Sequence, residues 1–232
     1  MSFSKKVFYS IFFISLDIFL IYGICTVYDA TMLNTLRREV NLLENKEITK
    51  DSFSYKVLTR GGYAKIEEAI KEYLYDYSSL FQDVLKSMKD EKLKKVLSYD
   101  NYLNDGPLFE KSISYLEKEK DKFNKNIDQL LFLSSEDSMK SYVNQKGYQE
   151  YYQKLYEELF ITDHFINEFK DNESLLESVK VKMNTIYDNS LGVLRFLASD
   201  TENWKLEDGE IKFQTQALYD QYMTYISQIT NS

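Results

Sequence analysis

The chain opens on an almost unbroken apolar run from Val7 to Tyr28, and no later stretch repeats that pattern. Phe8, Ile11, Phe12, Phe13, Ile14, Leu16, Ile18, Phe19, Leu20, Ile21, Ile24 and Val27 supply it. At about 1.5 Å per residue, a helix of this length crosses a hydrocarbon core of about 30 Å. The expectation is a single N-terminal transmembrane helix. Lys5 and Lys6 precede the run, and Asp29 is the first charge beyond it. The positive-inside bias then keeps the N-terminus cytoplasmic and puts residues 29–232 outside the cell membrane, as a single-pass arrangement.

After the run the pattern becomes helical. Leu33, Leu36, Val40 and Leu43 form a coiled-coil-like stripe over 29–46, a stalk that either packs on the domain or pairs with another copy. Over 52–59 the period changes to two, with Phe53, Tyr55 and Val57 alternating with polar residues, which predicts a strand ended by Gly61–Gly62. Three-four spacing predicts helices over 63–89, 90–97, 148–161 and 163–199. Tyr99–Asp105 reads as a polar loop, and Gly106–Pro107 as the opening of a helix that runs to Ser134, with a shorter one over 135–145. Asn172 and Gly192 are expected weak points of the longest helix. Trp204 and Leu206, then Asp208–Gly209, then Ile211 and Phe213 predict a β-hairpin over 203–213. Thr215 caps a last helix over 216–230.

The fold class that follows is mainly α: a transmembrane helix and an extracytoplasmic helical bundle with a small antiparallel β element, in which 52–59 pairs with the hairpin 203–213. An isolated hairpin is marginal in water, which is why a third strand is expected. The domains are 1–28 (stub and anchor), 29–46 (stalk) and 47–232 (helical domain). Ile70, Tyr73, Tyr77, Leu80, Phe123, Ile127, Val179 and Ile186 are the expected core, with Trp204 buried against a helix.

Composition changes this picture in three ways. Lys5, Lys6 and Asp17 leave +1 in residues 1–28 of a chain whose net charge is −8, so residues 29–232 carry −9. That surface disfavours nucleic acid as a partner. The one cysteine, Cys25, lies in the apolar run, so disulfides cannot staple the domain. Cys25 also sits where a cleaved or lipidated signal would have its site; the length of the run favours an uncleaved anchor. Only 7 Gly and 1 Pro occur, which suits long helices. The 20 Tyr and 15 Phe accompany abundant Ile, Lys and Asn, and that combination is ordinary for an AT-rich genome.

Candidate chemistry is sparse. Asp17, near the middle of the run, costs about 2.5–3.5 kcal/mol there on insertion scales. It is either a contact to a polar group of a partner membrane helix or a protonated, tolerated acid. Glu67, Glu68, Glu72 and Asp76 make an acidic ridge, with Glu68, Glu72 and Asp76 on one helical face. Such a ridge can bind calcium or do acid–base work, but its ordinary meaning is a solvated face. Tyr148, Tyr151, Tyr152 and Tyr156 form either a recognition surface or a core edge. His164 is the lone histidine and has no ligand partners at metal spacing. No phosphate loop or dinucleotide fingerprint occurs. No catalytic residue, cofactor or metal is therefore expected, and the interaction candidates are Asp17, Glu68, Glu72, Asp76, Tyr148 and Tyr152.

The anchor and leucine stripe, the stretch Gly61-Gly62-Tyr63-Ala64-Lys65-Ile66-Glu67-Glu68-Ala69-Ile70-Lys71, Asn104-Asp105-Gly106-Pro107 and the Trp204–Phe213 hairpin together resemble uncharacterised membrane-anchored proteins of low-GC Gram-positive bacteria. The resemblance implies location and a mostly helical build, and it brings no catalytic residues. Three functions are weighed: a non-catalytic domain that binds a protein or cell-envelope component, a ligand-sensing subunit that acts through a partner membrane protein and, last, an enzyme that uses the acidic ridge.

Overall fold

The computed structural model describes residues 3–44, 56–144 and 147–230, with the side chains of 3–19, 44, 164, 168 and 169 outside that description. In chain order the elements are α1 (Phe3–Glu44), α2 (Gly62–Met88), α3 (Glu91–Lys95), α4 (Tyr99–Asp105), α5 (Glu110–Leu133), α6 (Glu136–Asn144), α7 (Glu150–Phe160), α8 (Asp163–Ser199), β1 (Trp204–Glu207), β2 (Glu210–Phe213) and α9 (Gln216–Thr230). The protein is mainly helical with one small antiparallel sheet. Two compact units divide it: Met1–Tyr75 with Met139–Asp163, and Asp76–Ser138 with His164–Ser232.

In the first unit, α1 is one continuous helix that carries the apolar run directly into the leucine stripe. Leu36 and Val40 are buried and Leu33 and Leu43 half-buried, so the stripe packs within this unit, against α7 among others. Of the two uses expected for the stripe, it serves the domain's own packing. Among the described residues no helix is long and apolar enough to cross a membrane. Val7–Phe19, most of the expected span, and Asp17 with it, have side chains outside the described set. The remainder of the run is conspicuous: Leu20, Ile21, Ile24 and Val27 are 53–69 % exposed.

Residues 56–59 form no strand, and the sheet among the described residues has two strands, not three. Residues 52–55 of the expected strand lie outside the description. Backbone groups need partners wherever they are buried, and here charged side chains of α2 supply them. The Glu67 carboxylate accepts from the amides of Leu58 at 3.0 Å and Thr59 at 2.9 Å, and from the Thr59 hydroxyl at 2.8 Å. Lys71 donates to the Lys56 carbonyl at 2.9 Å. A ladder-like set of hydrogen bonds is thus made without a second strand. Aromatic contacts complete this unit. The ring of Tyr73 meets Tyr142 and Phe160 edge-on at 5.3 and 5.4 Å, and the buried Tyr156 hydroxyl donates to the Met139 carbonyl.

In the second unit, α5 and α8 run antiparallel. Phe123 packs on Tyr187, the Asn124 and Asn184 amides bond reciprocally, and Lys120–Asp188, Asp128–Lys180 and Glu117–Arg195 pair along the seam. Those ion pairs are largely exposed and contribute little; the buried Leu116, Phe123, Ile127, Leu130, Met183, Leu194 and Leu197 hold the seam. Of the expected core, Ile70, Tyr73, Phe123 and Ile127 are buried, whereas Tyr77, Leu80, Val179 and Ile186 are half-buried.

Tyr99–Asp105 is helix α4, not a loop. Its polar composition hides two tertiary supports. Ser98 caps it by accepting from the Asn101 amide, and Asn101 donates to Val96 and Ser112 while Tyr102 is buried. Pro107 is not in the first turn of α5, which starts at Glu110; it follows a cis peptide in the connection. The residue that enters α5, Phe109, has φ 54° and no capping side chain, and Asp105 caps the helix instead by accepting from the Ser112 amide at 2.8 Å.

The hairpin forms as expected, with Trp204 opposite Phe213 and Leu206 opposite Ile211. Asp208 and Gly209 both take positive φ, as a two-residue turn of this kind requires. A third strand is not needed because helices cover its apolar face. The Trp204 indole donates to the Leu197 carbonyl at 2.8 Å and its ring stacks on Phe109, while Phe213 contacts Phe196 and Tyr222. Trp204 is half-buried.

Neither Asn172 nor Gly192 interrupts α8. Gly192 instead admits α9: a β-carbon there would come within 2.6 Å of the Tyr225 ring. Gly192→Ala therefore sets a helix-propensity gain of up to about 1 kcal/mol against overpacking of about 1–3 kcal/mol. The thermal midpoint is expected to fall. In a Tyr225→Ala background, where the obstruction is gone, the same change is expected to raise it. An increase in both backgrounds would show that α9 does not rest on Gly192.

Candidate functional site

The acidic ridge dissolves into separate roles. Glu68 and Glu72 are exposed on α2 and Asp76 is half-buried. Glu67 is almost fully buried and belongs to the network above, where Lys71 approaches it at 2.6 Å and Glu39 of α1 lies 3.7 Å from the same ammonium. Burial pushes the Glu67 carboxyl up. The hydrogen bonds from Lys71, the Thr59 and Leu58 amides and the Thr59 hydroxyl outweigh it, so the group sits below its ordinary 4.5. A carboxylate with every lone pair engaged is a structural clasp rather than a base awaiting a proton. Among the described residues no group of three or more His, Cys, Asp or Glu side chains is disposed to hold a metal ion. The side chain of His164 is outside the description.

Two sites of shared aromatic character remain, one in each unit. In the first, the rings of Tyr63 on α2 and Tyr152 on α7 meet edge-on at 5.6 Å, and Tyr151 meets Tyr152 at 5.2 Å. Gly62 makes this possible, since any β-carbon at that position would fall inside the Tyr152 ring. Burial, then a hydrogen bond to Tyr151 and the nearby charges of Tyr151 and Asp29, raise the Tyr63 hydroxyl well above its usual range. Burial raises Tyr152 as well, followed by Asp29, Tyr151 and Tyr28. Asp29 and Tyr28, at the end of the apolar run on α1, thus bear electrostatically on this cluster, and α1 packs on α7. Tyr148 precedes α7; its hydroxyl donates to the Lys65 carbonyl, and the Lys65 ammonium lies 5.4 Å from its ring centre. The helix expected over 148–161 begins at Glu150, so Tyr148 lies just before α7 rather than on it. Tyr63, Tyr28 and Asp29 carried no signal in the sequence, because three elements distant along the chain bring them together.

In the second unit, Tyr99 and Tyr102 of α4, Phe213 of β2 and Tyr219 and Tyr222 of α9 line a cleft of about 330 Å³, with Glu210 at its side. Tyr102 is 4 % exposed, and its hydroxyl meets that of Tyr222 at 3.5 Å, the outer limit of a hydrogen bond. Burial first, and then Tyr222, raise the Tyr102 hydroxyl, so it stays neutral, and either hydroxyl can donate to the other. A larger open groove along α8 is lined by Lys180, Asn184 and Asp188, which the α5–α8 seam already uses. No family model, curated protein or solved structure matches this chain.

Proposed function

We propose that this protein is a membrane-anchored helical domain that binds a protein or cell-envelope component and performs no catalysis of its own. The observation that carries the reading is the state of α1: Leu20, Ile21, Ile24 and Val27 are open to their surroundings on a helix whose next turns, at Leu36 and Val40, are locked into a core. Apolar side chains left exposed in a contiguous stretch mark a surface meant for another apolar phase. The sequence upstream of them continues the run to Val7, long enough to complete a single span. Lys5 and Lys6 orient it with residues 29–232 outside. The resemblance to membrane-anchored proteins of low-GC Gram-positive bacteria agrees with this location. Asp17 would then lie within the bilayer, where an acid commonly answers a partner helix.

The test is extraction and protease access. The full chain should stay with membranes through alkaline carbonate, and protease added to intact protoplasts should remove the domain. Release by carbonate, or protection from protease, would overturn the anchor or its orientation respectively.

The aromatic cleft favours a second reading, a ligand-sensing subunit acting through a partner membrane protein. A concave site that sets aromatic rings beside tyrosine hydroxyls and a carboxylate is one way small ligands are held. A small molecule retained by the purified domain and displaced by Tyr222→Ala would favour this reading over the first.

A further inference from the structure

We infer that Tyr28, Tyr151 and Tyr152, backed by the buried Tyr63 where the apolar run of α1 ends, form a lipid-contacting ring that seats the first unit in the headgroup layer of the membrane. The inference rests on the anchor reading and deepens it, by naming which face of the folded domain meets lipid. Three observations converge. First, Val27, Tyr28 and Asp29 are consecutive on α1, so the last apolar residue and Asp29 differ in height by about 3 Å at 1.5 Å per residue. The interfacial layer on each side of a bilayer is about 5–8 Å deep, by the difference between its total and hydrocarbon thickness. A run that ends at the edge of the hydrocarbon therefore delivers Tyr28 and Asp29 into that layer, on a helix that packs against α7, which carries Tyr151 and Tyr152.

Second, the residue type fits. Tyrosine has an apolar ring and a hydroxyl that wants a hydrogen-bond partner, and it concentrates where hydrocarbon meets water. Third, Tyr151 and Tyr28 are left open where a soluble fold would cover them, Tyr152 is half-buried, and Tyr63 is buried beneath them. Tyr151 is 56 % exposed and Tyr28 43 %, and Tyr22, one and a half turns earlier on α1, is 72 % exposed. A domain carrying −9 gains nothing by approaching anionic lipid. Contact through neutral hydroxyls and rings avoids that repulsion, so the seating should be as good on zwitterionic lipid.

The test uses the full chain, reconstituted into phosphatidylcholine vesicles that contain lipids brominated at shallow or deep acyl positions. Trp204→Phe removes the native reporter, and Tyr151→Trp or, separately, Tyr28→Trp places one in the ring; Val27→Trp reports on the anchor. The expected result is that Trp at 151 and at 28 is quenched at least about twofold more by shallow than by deep bromines. Quenching at 27 with none at 151 or 28 would overturn the inference and leave the anchor standing. No quenching at any of the three would overturn both. A blue-shifted, concentration-dependent emission at 151 that bromolipid does not quench would mean that another copy covers the ring, and would also overturn it.

Discussion

Lys71→Met is expected to destabilise the protein by about 3–5 kcal/mol, the usual cost of removing one partner from a buried ion pair. Lys71 is 3 % exposed and Glu67 1 %, so the orphaned carboxylate has no ready access to water. Replacing both residues by apolar ones, often harmless for a buried pair, should not be harmless here. Glu67 also satisfies the Leu58 and Thr59 amides and the Thr59 hydroxyl, and those donors would lose their acceptor. Hydrogen exchange gives the local readout, because the Leu58 and Thr59 amides should lose protection first, and chemical unfolding followed by circular dichroism gives the total. A loss below about 1 kcal/mol would mean that the pair is solvated. The pH dependence has a definite sign. The folded Glu67 carboxyl sits below its ordinary 4.5, so in the window beneath that value the unfolded chain binds more protons. The contribution of Glu67 is therefore complete above about pH 4.5 and is lost as pH falls through its folded value. Without Lys71, burial is less well opposed, and the acid transition should move to higher pH.

Phe109→Ala is expected to cost about 3–5 kcal/mol, since Phe109 is fully buried between Trp204, stacked at 6.0 Å, and Tyr102, edge-on at 5.6 Å. Its backbone makes the comparison with glycine informative. At φ 54° an L-residue carries about 1–2 kcal/mol of steric cost that glycine does not. Phe109→Gly should therefore be less damaging than Phe109→Ala, the reverse of the usual order inside a fold. Urea unfolding followed by Trp204 emission measures both, because the reporter ring lies on the deleted one. If the alanine variant is the more stable, the left-handed conformation at Phe109 is not what holds the α4–α5 connection.

Both residues owe their roles to partners that local sequence does not mark. Glu67 looked like one member of a solvated ridge because its neighbours Glu68 and Glu72 are. Nothing local marks a carboxylate that will fold over the backbone of residues eight and nine positions earlier. Phe109 fell at a helix start by its stripe, but its left-handed entry is set by Gly106, Asp105 and Trp204 together. The aromatic ring at the end of the apolar run is a similar case. Tyr152 was visible as a candidate, but its partners come from α1 and α2.

Features that depend on near neighbours are legible along the chain. Apolar spacing placed the long helices almost to the residue, and Asp208–Gly209 placed the hairpin and its register, because helix hydrogen bonds and tight turns close within a few residues. Composition also determined that the domain is acidic and without a disulfide framework. The tertiary structure decided what depends on distant partners. Residues 56–59 are pinned by charged side chains instead of a strand, the Leu36–Val40 stripe is spent inside the first unit, α4 is a helix despite its polar composition, and Gly192 is a seat for Tyr225. Each of these turns on which group happens to face a backbone amide or a bare glycine across the fold, and periodicity along the chain carries no record of that.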